Sequence, residues 1–80
     1  MPIRERLYPV FVSALDLPAE VDVHQLRQRF DERWDSLAHL SLVMAIEEEF
    51  DVELDPDTLV ELDSFETAVR ILRTLGVEDG

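Results

Sequence analysis

Ser36 and His39 lie three positions apart, one turn on a helix, and a hydroxyl with an imidazole at that spacing is the pair to test first for nucleophilic chemistry. The setting does not support it. A nucleophile elbow needs small residues around its serine, and an oxyanion hole of that type needs glycine nearby. The two glycines of this chain are Gly76 and Gly80. A chain of 80 residues also offers no obvious pocket. The pair therefore reads as non-catalytic, and the chain as a protein without enzymatic activity. His24 and His39 fail as metal ligands, because no further histidine or carboxylate stands at a convincing spacing. Asp51, Glu53, Asp55 and Asp57 alternate like the start of a calcium loop, but the central glycine is missing and Pro56 interrupts the run.

What remains is Ser36 itself, directly behind Asp35 and ahead of Leu37. Asp35 is a good N-cap, and its carboxylate suits the positive end of a helix dipole. The pattern predicts a helix from Ser36 to Phe50. Leu42, Val43, Ile46 and Phe50 form one apolar stripe, assigned to the core. Leu37, Leu40 and Met44 form a second, on the side of Ser36, Ser41, Glu47 and Glu48. A surface helix on a small domain needs only one buried stripe. The second is either covered by the rest of the chain or waits for a partner.

Three further segments must position this helix. Ile3, Leu7, Val10, Phe11 and Leu15 have helical spacing. Pro9 removes a backbone bond to Glu5, so a helix over Ile3 to Leu15 is expected to be kinked or to start late. Asp55-Pro56 reads as an N-cap with proline at the first helical position, opening a short helix to about Val60 with Leu59 and Leu62 turned inward. Ser64 caps a last helix, Phe65 to Leu75, whose inner face is Phe65, Ala68, Val69 and Leu72. Gly76 ends it, and residues 77–80 are expected to fray. The connection from Asp16 to Trp34 carries Val21, Val23, Leu26 and Phe30, which need burial, and Val23 to Phe30 could form a short helical stretch. Trp34 reads as a core plug in preference to a second surface contact.

The order of motifs resembles the acyl carrier proteins. Asp35-Ser36-Leu37 matches that family's attachment motif, Leu42 to Phe50 the body of its second helix, and Leu62, Ser64 and Ala68-Val69 the entry and inner face of its last one. The resemblance spans about Ile3 to Leu75. It implies an all-α fold, a four-helix acyl-carrier-like bundle of three main helices and one short one, as a single domain over residues 1–80. It implies that Ser36 accepts 4′-phosphopantetheine from coenzyme A through a phosphopantetheinyl transferase, with Asp35 and Leu37 beside the attachment point. An exposed hydroxyl at a helix start suits an attached phosphodiester. The resemblance further implies that Leu37, Leu40, Met44, Glu47 and Glu48 dock cargo-loading and cargo-accepting enzymes with basic surfaces. Arg33 and Trp34 stand where the family often has glycine and a small residue. Ala38 and Ser41 stand where its primary-metabolism members tend to be acidic. These departures favour a discrete carrier of a specialised bacterial pathway, polyketide or nonribosomal peptide, over a fatty-acid synthesis carrier. A helical interaction module with the same fold but no arm is the other reading.

Charge and composition agree with that picture. The formal net charge is -12, and thirteen acidic residues with Arg33 alone among basic ones fall between Asp31 and Glu66. Phosphate binding needs a basic surface, so nucleic acid is not an expected partner. An acidic face instead steers basic partners. There is no cysteine, which excludes disulfides and thiolate metal sites. No apolar run is long enough to span a membrane, and the opening residues lack the apolar segment of a signal peptide. A cytoplasmic monomer is expected.

Overall fold

The computed structural model describes residues 2–18, 22–25 and 34–78. Its elements are α1 (Ile3–Leu15), a single 3-10 turn (Val23–Gln25), α2 (Ser36–Phe50), α3 (Pro56–Glu61) and α4 (Phe65–Thr74). There is no strand among the described residues, and the fold is a small all-α bundle of three main helices and one short one.

Local chemistry sets the helix starts. Asp35, Asp55 and Ser64 each adopt extended backbone and accept the N–H three residues on, from Ala38, Thr58 and Thr67. Each cap satisfies one of the first-turn N–H groups that a helix leaves unpaired. Pro56 sits at the start of α3, where its missing N–H costs nothing. Pro9 lies inside α1, which nonetheless runs from Ile3 without a delayed start.

Three of the four helix ends share one device. The N–H groups of Leu17, Val52 and Val77 reach back to the carbonyls of Val12, Glu47 and Leu72 at 3.0–3.1 Å. The residue before each acceptor-seeking N–H is left-handed: Asp16 (φ 51°), Asp51 (φ 54°) and Gly76 (φ 91°). Glycine is the natural occupant of that position, and two of the three helices use aspartate instead. Leu75, expected in the last helix, is the residue that closes α4, and α3 runs one residue beyond Val60.

The core is built on aromatic edges. Phe11 meets Trp34 and Phe65 edge-on, with ring centroids 5.4 and 5.1 Å apart. Ile3, Leu7 and Leu15 of α1, Leu42 and Ile46 of α2, Leu62, and Val69 and Leu72 of α4 close around them. Every residue assigned to the core stripe of α2 is buried, and Trp34 is core, at 1% exposure. Leu62 is buried and Leu59 packs partly against the core. Arg6 ties the start of α1 to the end of α2: its guanidinium lies 4.4 Å from the Phe50 ring centroid, and its Nε is 3.2 Å from a Glu49 oxygen. Phe11 meanwhile packs on Trp34 at the entry to α2, so the two helices run antiparallel. Of the expected helical stretch Val23 to Phe30, Val23–Gln25 is a 3-10 turn with Val23 buried. Leu26, Phe30 and also Val21 and Arg33 lie outside the described residues.

Candidate functional site

The entry to α2 is held from behind. Trp34 is sunk in the core, and Asp35 then turns out to cap the helix, its Oδ1 accepting Ala38 N–H at 2.8 Å. Ser36 follows as the first helical residue and is exposed. The backbone N–H groups of the first turn that Asp35 does not take point out beside it, under the positive end of the helix dipole. An anionic phosphodiester on this hydroxyl fits the chemistry of the position.

His39 has a role the sequence did not disclose. The Trp34 indole N–H donates to its Nδ1 at 2.9 Å. Its Nε2 lies 3.0 Å from the carbonyl oxygen of Leu59 in α3. An indole N–H can only donate and a carbonyl can only accept. In this arrangement Nδ1 accepts and the ring proton on Nε2 donates to Leu59. Both nitrogens are occupied, so neither is free to act as a base toward Ser36. A signal for this contact existed: a buried tryptophan N–H needs an acceptor, and His39 is the ring one turn into the helix that follows.

The second apolar stripe is open. Leu37, Leu40 and Met44 are 75%, 55% and 67% exposed. Val60 of α3, which the sequence reading placed at a helix end and not on the docking face, is 83% exposed. The two glutamates of the stripe differ. Glu48 is exposed, whereas Glu47 is half-buried and its Oε2 accepts the backbone N–H of Leu54 at 2.9 Å. A surface groove between α1 and the second half of α2, lined by residues such as Arg6, Val10, Ala45 and Glu49, does not include Ser36.

Two acids outside this face serve the fold. Asp55 has its carboxyl below the usual range because the Thr58 side chain and N–H bond to it. Glu66 is held at about 2, chiefly by the Arg4 guanidinium and further by His24. Among the described residues no cluster of histidine and carboxylate is arranged to hold a metal ion, and no helix is long and apolar enough to cross a membrane.

Residues 5–72 match the family described as phosphopantetheine attachment site. That match covers most of the chain, and the protein belongs to this family of carriers. It is a phosphopantetheine-bearing carrier protein, its prosthetic group is covalent 4′-phosphopantetheine, and its dealings are with a phosphopantetheinyl transferase and biosynthetic enzymes. Members of the family carry cargo and are not themselves catalysts. No solved structure matches the chain.

Proposed function

We propose that Ser36 is the attachment residue, and that the protein carries an acyl, aminoacyl or polyketide intermediate in a specialised biosynthetic pathway. The observation that carries the assignment is the placement of the chain's four serines. Ser64 is buried and caps α4. Ser13 and Ser41 lie inside α1 and α2. Ser36 alone combines exposure with a helix start, inside the residues matched to the family. Its hydroxyl would supply the ester oxygen of the phosphodiester. The first-turn N–H groups would hold the phosphate oxygens, while Asp35 keeps the turn in shape. The bound group supplies a thiol that holds cargo as a thioester.

Leu37, Leu40 and Met44, with Glu48 at their edge, would receive partner enzymes. A flexible thioether between two leucines adapts to more than one surface. Exposed acid groups raise the encounter rate with basic partners. Glu47 contributes charge to the same edge but is engaged with Leu54. The neutral Ala38 and Ser41 near Ser36 support a specialised pathway over fatty-acid synthesis. The expected state is a cytoplasmic monomer.

Incubation with coenzyme A, magnesium and a broad-specificity transferase, read by intact mass, tests the assignment. Wild type should gain one phosphopantetheine, and Ser36→Ala none while keeping its fold. Modification that survives in Ser36→Ala would sink it. A wild-type chain that stays unmodified would favour an interaction module without an arm.

A further inference from the structure

Helix α3 is six residues long and buries none of them. Core packing holds it only through the half-buried Leu59 and through Leu62 just past its end. Its polar anchors come from α2. Glu47 takes Leu54 N–H on the approach, and His39 takes the Leu59 carbonyl. That second contact has a specific job. The last carbonyls of a helix have no partner within it. Thr58's carbonyl is satisfied by Leu62 N–H at 3.1 Å. Leu59's is satisfied by the imidazole of another helix.

The same ring receives the Trp34 N–H. The bonds run in one sense, Trp34 to His39 to Leu59, and successive bonds of one sense polarise each other. One end of this relay lies two residues before Ser36. The other lies one residue before Val60, the most exposed large apolar side chain described.

We propose that His39 is a positioning residue: it locks the helix start that presents Ser36 and the helix end that presents Val60 into one surface, and the transferase binds that surface while the Leu59 bond holds α3 in place. The proposal rests on Ser36 being the attachment residue. Losing the Leu59 bond leaves Ser36 chemically unchanged but lets α3 leave its place. A partner then meets its full docking surface in only a fraction of molecules, and apparent affinity falls by that fraction. The effect belongs in KM.

Two amides separate this from a merely structural role. A glutamine side chain can place its amide nitrogen where Nε2 stands and donate to Leu59. Asparagine is one carbon shorter. It reaches about as far as Nδ1, so it can face Trp34 but not Leu59. Both are polar, and neither is bulkier than histidine. Steady-state transfer from coenzyme A is measured for wild type, His39→Gln and His39→Asn, with thermal melts and amide exchange across α3. The expected result is a KM about tenfold higher for His39→Asn, the weight of one to two net hydrogen bonds. Its kcat stays within about twofold, and its α3 amides exchange faster. His39→Gln keeps the Leu59 bond that holds α3, so its KM and α3 exchange stay within about twofold of wild type, while the lost Trp34 acceptor lowers only its melting temperature. Equal KM values in all three proteins would overturn the proposal, as would losses in both variants that follow their melting temperatures. Failure of the attachment reading looks different: wild type itself would gain no mass.

Discussion

The Glu47 carboxylate accepts the backbone N–H of Leu54 at 2.9 Å, bridging the body of α2 to the segment that leads into α3. Glu48, its neighbour, is exposed and makes no such bridge. Two adjacent acids on one helix therefore do different work. A charge-assisted bond to a partly buried amide is stabilising, and its loss leaves that N–H without a partner. Glu47→Ala is expected to cost about 1–2 kcal/mol, and Glu48→Ala to stay within about 0.5 kcal/mol of wild type. Urea unfolding of the two variants checks this. Equal stability would mean that the Glu47 bridge contributes nothing.

Asp51 closes α2 in the left-handed region, at φ 54°. A residue with a Cβ is strained there, and an acid at a helix C-terminus also opposes the dipole. Asp51→Gly relieves both and lowers the net negative charge. A gain of roughly 0.5–1 kcal/mol is expected after allowing for the entropy that glycine loses on folding. The melting temperature should rise by a few degrees. A fall would mean that the Asp51 side chain makes a contribution its position does not explain.

Glu66 joins α4 to α1 through the Arg4 guanidinium, one of whose nitrogens lies 2.6 Å from Oε1, and to the 3-10 turn through His24 Nδ1 at 3.2 Å. Its carboxyl is lowered from 4.5 to about 2, mainly by the hydrogen bond from Arg4. A lowered acid stabilises the fold in its charged form. The contribution is complete above the ordinary value of 4.5 and is lost as pH falls toward about 2. Both partners are about half exposed, at 42% and 50%, so solvent screening limits the effect. Glu66→Gln should be less stable than wild type by about 0.5–1 kcal/mol at neutral pH, and the two should converge on acidification to about pH 2. Parallel denaturant titrations across that range give the difference. A gap that widens on acidification contradicts the assignment.

What could be read in the sequence is what local chemistry decides. Asp35, Asp55 and Ser64 announce their helices because each cap bonds within three residues of itself. Leu42, Val43, Ile46 and Phe50 announce the core face of α2 by period alone. The ends of α1 and α2 were harder, since aspartate occupies a position where glycine is the usual marker and Gly76 alone carried that sign. His39 was legible only as a possible base or ligand. Its real partners are a tryptophan five residues back and a carbonyl twenty residues on, and the second depends on where α3 packs. Glu47 is the same case: its pattern matches that of Glu48, and only the path of residues 52–54 distinguishes them.

Met44 tests the docking face most directly. It is 67% exposed between α2's acidic end and Leu40, so truncation removes little that the fold uses. Met44→Ala should therefore leave the melting temperature nearly unchanged, within about 0.5 kcal/mol of stability. If partner enzymes bury this side chain, its loss should weaken transfer to and from them by about tenfold, roughly 1.4 kcal/mol. Glu48→Lys probes the charged edge of the same face without touching the Leu54 bridge. A rim charge acts on encounter, so its reversal should slow association, and the deficit should shrink as salt is raised. Loading kinetics at low and high ionic strength, run beside thermal melts, distinguish the outcomes. Unfolding in Met44→Ala would assign the stripe to the core. Transfer that is unchanged in both variants would move the docking surface off this face of α2, with the exposed Val60 side of α3 the next region to probe.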